Sequence, residues 1–398
     1  MESSSIRLGR IAGVPVGMSW SLLVIAAIFT LGLAEGRFPV SNPGYAIGAY
    51  WVAASITVVL FFVSILAHEV AHAVVAKRHG LPVEGITLWL LGGVARLGGE
   101  APSPRAELQI AGVGPLSSAA IGLMFFAGST AASSLGVHPL AVEVLAWLAL
   151  INALLAGFNA LPAAPLDGGR VLAAVLWWRT GNRTRGLVGA ANAGRWLGAG
   201  LLAFASWQVF EGEMMVALWT AVVGLFIWQT AVNEGRGALA RGSLAGLTAV
   251  EAARPDPPIV DEWLTVDGLM ALVGDGGDHT AFVVRESDGV LRSIVSADEI
   301  RRVHPHRRGS VRLSDIAVPI ESVTTAWATE PLLGVLDRIP GDDRPEIVVY
   351  DNRMCLVGVV SRTDLARLIQ RAGNGRTPVA PPPPTPAPPH ADAGQPRS

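Results

Sequence analysis

The sequence predicts an α-helical polytopic membrane unit, with six transmembrane helices and a re-entrant β-hairpin, followed by a small α/β unit built from a repeat. Three observations carry that prediction. Only 16% of the 398 residues are charged and 51% are hydrophobic, with a mean hydropathy of +0.44, whereas a soluble chain carries about 25% charged residues. The apolar residues crowd into the part before residue 235 or so. Beyond residue 242, short β-rich runs alternate with helical stretches, in an order that recurs once after roughly 65 residues.

Apolar segments of spanning length lie near 16–35, 47–76, 108–130, 139–160, 187–209 and 214–233. Arg7 and Arg10 ahead of the first give it the look of a signal peptide, but the run is as long as a span and no small-residue cleavage site follows it. It reads as a retained anchor. Between the second and third segments, "GITLWLLGGVARLGGEA" places two short apolar strips around Gly92 and Gly93. Paired glycines supply the backbone angles of a tight turn, so this is hairpin chemistry. At this hydrophobicity the hairpin is expected to dip into the membrane, which requires protein or a water-filled cavity to cover its backbone groups.

Lys77 and Arg78, Arg96 and Arg105, Arg179, Arg183 and Arg185, and Arg236 and Arg241 fall on the same side as Arg7 and Arg10. The opposite loops hold Arg37, Glu211 and Glu213. The positive-inside rule then predicts a multi-pass protein of the cell membrane with both termini cytoplasmic.

The expected divisions are a membrane unit over 1–235, a linker over 236–243, and a paired α/β unit over 244–373 with copies at about 244–304 and 311–372. A proline-rich tail over 374–398 cannot form a packed core and reads as disordered. Cys355 is the only cysteine, which excludes an internal disulfide and a cysteine-based zinc site and fits a reducing compartment. A net charge of −2 with no basic stripe interleaved with aromatics excludes a nucleic-acid partner.

The stretch "SILAHEVAHAVVAKRHG", residues 64–80, sets His68, Glu69 and His72 at the end of an apolar helix. Ionisable groups are costly there and need compensation. Residues four apart share a helix face, so His68 and His72 can offer two imidazoles to one zinc ion, with Glu69 beside them as a proton acceptor. On a soluble surface helix the same pattern is often only a solvated charge cluster. A third ligand is required, and "FNALPAAPLDGGR" offers Asp167, where Pro162 and Pro165 break the helix and Gly168 and Gly169 free the backbone. As an isolated residue it would read as a helix-end turn aspartate. His79 and His138 read as exposed, and Asn152 as a helix–helix hydrogen bond. The amide of Asn159 is placed to reach a ligand or a developing oxyanion.

"AHEVAH" in a membrane helix, the glycine-rich hairpin, "AGVGPLSS" and "NALPAAPLDGGR" together resemble the site-2 protease family of intramembrane zinc metalloproteases. The most similar branch carries six membrane helices and a C-terminal pair of CBS domains, and the resemblance covers the chain apart from the tail. It implies His68, His72 and Asp167 as ligands of one Zn2+, Glu69 as general base and Asn159 in support. It also implies regulated intramembrane proteolysis of a membrane-spanning substrate, such as a membrane-anchored regulator, among membrane lipids. A helix must unwind before it is cut, and the edge of the hairpin holding Gly92 and Gly93 is suited to add the extended strand.

"GVVSRTDL" and "SIVSADEI" resemble the strand-to-helix corners of CBS repeats, which implies ATP or AMP at Ser361, Thr363 and Asp364. In the first copy Ser296 is present, but Glu299 replaces the usual aspartate. A purely structural pair, or a module joining copies into a homo-oligomer, competes with nucleotide sensing. Two other functions compete for the whole chain: an ion transporter gated by the CBS pair, and a silent relative that only captures membrane proteins. Hydrolysis needs Glu69 as a base, whereas ion binding tolerates glutamine there.

Overall fold

The computed structural model describes residues 5–89, 92–273, 281–339 and 346–373, so the proline-rich tail lies outside the described residues. The described chain divides into two compact units, Met1–Leu239 and Ala240–Ser398.

The first unit opens on two strands, β1 (Ser5–Ile11) and β2 (Val14–Ser19), joined by a two-residue turn. Ala12 and Gly13 both have positive φ, 51° and 73°, the conformation that matches a tight turn to strand twist. The segment expected to start a span at residue 16 is therefore a strand until Ser19, which caps the helix α1 (Trp20–Leu31). That helix continues through a π-helical turn into α2 (Phe38–Ser41). Alternation explains the strand: Val14 and Val16 are buried against Ala73 and Ile86, while Pro15 between them and Met18 beyond are only partly buried.

Next come α3 (Ile47–Arg78), β3 (Val83–Trp89) and β4 (Gly92–Leu97). At 32 residues, α3 is about 48 Å long against a bilayer core of about 30 Å. Lys77 and Arg78 close its last turn, where cations suit the helix dipole. The sheet order is β1-β2-β3-β4, with β2 and β3 parallel and the other pairs antiparallel. The expected hairpin forms, but its glycines are not the turn. Gly92 and Gly93 pair with Trp89 and Leu88 as the first residues of β4, and the intervening residues 90 and 91 lie outside the described residues.

The helices α4 (Pro104–Ser134), α5 (Pro139–Asn159), α6 (Asp167–Thr180), α7 (Arg183–Phe210) and α8 (Met214–Leu244) complete the unit. Ala106, Ile110, Gly114, Ser118 and Gly122 form a buried stripe of mostly small residues along α4, which admits close helix neighbours. Among the described residues, five helical segments are long and apolar enough to cross a membrane: Trp20–Ser41, Ile47–Arg78, Pro104–Ser134, Pro139–Asn159 and Met214–Leu244. The expected span over 187–209 is helical as α7, but its glycine, asparagine and arginine content lowers its apolarity. Residues 236–243, read as a linker, are the continuous end of α8.

In the second unit, α9 (Ala249–Ala252) and β5 (Arg254–Pro255) precede a sheet formed from β6 (Ile259–Asp261), β7 (Ala281–Arg285), β8 (Leu291–Ser296) and β9 (Val318–Pro319). Helices α10 (Val266–Val273), α11 (Ala297–Arg302) and α12 (Leu313–Ile316) intervene. The second sheet runs β10 (Thr324–Trp327), β11 (Ile347–Tyr350), β12 (Leu356–Val360) and then β5, with α13 (Leu332–Leu336) and α14 (Arg362–Gly373) beside it in sequence. Each sheet pairs one parallel and two antiparallel neighbours in the same order. The repeat seen in the sequence is thus a repeat in topology. The second sheet also draws β5 from within the span expected for the first copy, 244–304.

Candidate metal centre

The i,i+4 spacing on α3 brings the rings of His68 and His72 to one face, with their Nε2 atoms 3.1 Å apart. Asp167, the first residue of α6, completes the group: its Oδ2 lies 3.0 Å from Nε2 of His68 and 3.3 Å from Nε2 of His72. Both imidazoles are buried, and the aspartate side chain is only 19% exposed. These three are the metal-competent cluster of the described residues.

The outer faces of the rings decide what the inner faces can do. Nδ1 of His72 lies 2.6 Å from the Ile110 carbonyl, which only accepts, so this nitrogen must donate. Nδ1 of His68 lies 2.9 Å from the Ser118 hydroxyl, which can accept in the same way. Both Nε2 lone pairs then point at each other and at a carboxylate. With both rings neutral and protonated on Nδ1, three acceptors converge. A cation removes that repulsion, and tetrahedral zinc with bonds of about 2.0–2.2 Å places its ligands about 3.3–3.5 Å apart, close to the 3.0–3.3 Å seen here. The donor set of two imidazoles and one carboxylate fits zinc, and the hydrogen bonds from Nδ1 orient the ligands as second partners do in zinc sites.

Two glycines make room for this packing. A Cβ on Gly114 of α4 would overlap Nε2 of His72 and lie 2.6 Å from Nε2 of His68. A Cβ on Gly93 of β4 would collide with the Glu69 side chain, which also lies near the backbone of Ala95. Gly93 and Ala95 are two apart and share a strand face. Glu69 therefore lies directly beneath β4, the strand that pairs only with β3 among the described residues.

Asp167 is held by its surroundings. Added Cβ atoms on Gly168 and Gly169 would run into the backbone of residues 160–164, and Ala164 N–H donates to the Ala190 carbonyl at 3.1 Å. Asn159 donates one amide N–H to the Leu155 carbonyl of its own helix at 3.0 Å. Asn152 reaches Ser64 of α3 at 3.4 Å and the Leu148 carbonyl at 2.8 Å, the helix–helix role read for it. His79 pairs with Gln109 at 2.7 Å at the end of α3, and the His138 ring packs against Tyr45. Sequence reasoning missed Ser118, Gly114 and the Ile110 carbonyl as supports of the histidines. Their signal was the four-residue spacing of small residues along α4.

At the C-terminal corner, Ser361 and Asp364 meet each other. The Ser361 hydroxyl and N–H donate to Oδ2 of Asp364 at 2.6 and 3.1 Å, and Arg254 Nε donates to Oδ1 at 2.6 Å. Ser296 and Glu299 form the corresponding capping box in the first copy. Thr363 is half-buried beside the second box.

Comparison with known proteins bears on the same residues. The model of peptidase family M50 matches residues 56–141 and 137–194. A Mycobacterium tuberculosis protein named as a zinc metalloprotease, Rip3, is 39% identical over 92% of this chain and 93% of its own length. The solved site-2 protease of Methanocaldococcus jannaschii is 31% identical, covering 58% of this chain and 95% of that one with a TM-score of 0.40. A hemolysin-like protein of Oenococcus oeni containing a CBS domain is 14% identical, covering 33% of this chain and 95% of that one with a TM-score of 0.27.

Proposed function

This chain belongs to peptidase family M50, the zinc metalloproteases of the site-2 protease type, and from that premise we propose that His68, His72 and Asp167 hold its zinc ion while Glu69 is its general base. The protein is a multi-pass membrane zinc metalloendopeptidase that acts on membrane proteins within lipid. The observation that supports the residue assignment is the convergence of three acceptors at 3.0–3.3 Å with Glu69 next to them. The competing ion-transport reading has no comparable support.

Bound zinc supplies a Lewis acid that makes water more acidic and draws electron density from a peptide carbonyl. The chain's own residues do the rest. Glu69 takes a proton from the attacking water and delivers it to the departing amine nitrogen. Gly93 keeps that carboxylate close under β4. We read β4 as the strand that receives the unwound substrate, since its outer edge can add an extended segment whose peptide bond then lies over Glu69. Asn159 is assigned a supporting role through the second N–H of its amide, which the bond to Leu155 does not use.

Six spans with a re-entrant hairpin, residence in the cell membrane and cytoplasmic termini complete the proposal, supported by the arginine and lysine asymmetry of the loops. The second unit is read as a CBS pair that joins copies of the chain and binds ATP or AMP at Ser361, Thr363 and Asp364. Nucleotide binding there requires Arg254 to release Asp364.

The central test uses purified protein in detergent with a panel of membrane-anchored regulators, comparing wild type with Glu69→Gln and with chelator-treated enzyme. Glu69→Gln is expected to lower the cleavage rate by at least about 10²–10⁴-fold, the usual worth of a general base, while retaining zinc. Cleavage that persists in both conditions would falsify the assignment of the site.

A further inference from the structure

A groove of about 830 Å3 runs between α3, α4 and the start of α6, within the range of roughly 300–1,000 Å3 typical of small-ligand sites. Its walls are apolar, built from Val75, Leu108, Val113, Leu116 and Val171. One end touches Gly168, the neighbour of Asp167, and Ala160 of the loop before it. Arg78, His79 and Gln109 also line it, where α3 terminates.

Arg78 is exposed and, among the described residues, no carboxylate is recorded within ion-pair distance of it. Gln109 is engaged with His79 through its Oε1, which obliges His79 Nε2 to donate. The groove therefore offers an apolar trough with a fixed cation at one end. Gly112 lines the trough, and a Cβ added there meets nothing within 4 Å.

We propose that this groove is a binding site for an anionic phospholipid, with an acyl chain in the trough and the phosphate on Arg78. The charge selects this occupant over a substrate helix. A membrane span leaving toward the cytoplasm carries lysine and arginine at its flank, and Arg78 repels that flank while attracting a phosphate. Basic pockets between membrane helices on the cytoplasmic side bind lipid headgroups by the same chemistry. The bound lipid lies one residue from Asp167, so it packs the outer wall of the metal centre.

The test reads binding rather than proteolysis, so it stands or falls separately from the protease assignment. Full-length protein is reconstituted with phosphatidylglycerol and phosphatidylcholine of identical chains, and lipids retained after detergent extraction are counted by native mass spectrometry. Wild type is expected to retain phosphatidylglycerol preferentially. Arg78→Gln is expected to cut that preference by about fivefold, the worth of one basic residue at a lipid surface. Gly112→Phe, which projects into open space, is expected to displace both lipids while zinc content stays at the wild-type level. Equal retention of the two lipids by wild type, or unchanged retention in Gly112→Phe, would overturn the proposal. A photoreactive residue at position 112 supplies the second arm: a crosslink to phospholipid supports the site, and a crosslink to a polypeptide overturns it.

Discussion

The centre at His68, His72 and Asp167 and the corner at Ser361 and Asp364 are both buried polar groups gathered at a helix start. At the corner every oxygen of Asp364 already has a donor, from the Ser361 hydroxyl and N–H and from Arg254. At the centre the Ile110 carbonyl takes the Nδ1 proton of His72 and Ser118 is placed to take that of His68, which leaves acceptors facing acceptors. A satisfied box is complete as it stands, whereas a convergence of lone pairs demands a cation. The difference distinguishes a closed hydrogen-bonded box from the proposed metal site, even though both sequences read as candidate ligands.

Substitutions that act on one side of this contrast test it, and the largest effect is expected at Gly114. Gly114→Ala drives a methyl group into both imidazoles, so zinc content measured by atomic absorption should fall below one-tenth of wild type, and activity with it. Full zinc occupancy in that variant would mean the rings do not meet as described.

Gly93→Ala presses instead on Glu69. Zinc should remain, while turnover falls by about 10²-fold, the lower range for displacing a general base. Parallel loss of metal and turnover would show that β4 supports the ligands rather than the base.

Ser118→Ala removes the acceptor that orients His68. Loss of such a second partner typically costs about 10–100-fold in metal affinity, which competition with a chromogenic chelator would measure. An unchanged affinity would mean that the tautomer of His68 is set elsewhere.

The smallest effect is expected at the corner. Arg254→Ala removes the shorter ion pair on Oδ1 of Asp364, leaving Arg367 at 4.0 Å, and calorimetric titration with AMP and ATP should show binding tighter by about tenfold, the change that corresponds to about 1.4 kcal/mol. If neither nucleotide binds wild type or variant, Asp364 is a cap alone and the nucleotide proposal for this unit fails.

Much of this was legible in the sequence. Apolar length marked α3, α4, α5 and α8, because a membrane imposes a linear requirement of about 20 apolar residues. The H-E-x-x-H spacing marked two imidazoles and a carboxylate gathered on one helix, because helical periodicity is local. The repeat in the second unit was visible as alternating strand and helix patterns. Less legible was the N-terminal hairpin, where apolar residues 14–19 merge with those of α1 and conceal a change of period from two to 3.6. Gly92 and Gly93 were read as a turn from composition alone, whereas cross-strand pairing places them inside β4.

The sequence by itself determined the chemistry on offer: a membrane chain, two histidines and a glutamate on one helix, an aspartate after a proline break, and a duplicated α/β unit. Each follows from composition or from spacing within one element. Tertiary structure alone decided that Asp167 comes to 3.0 Å from His68 across 99 residues of chain, that the Ile110 carbonyl and the Ser118 hydroxyl meet the outer nitrogens of the rings, and that Gly93 brings β4 onto Glu69. It also decided that Arg254 reaches Asp364 across 110 residues. Contacts between distant elements depend on which backbones can approach, and that is settled by packing.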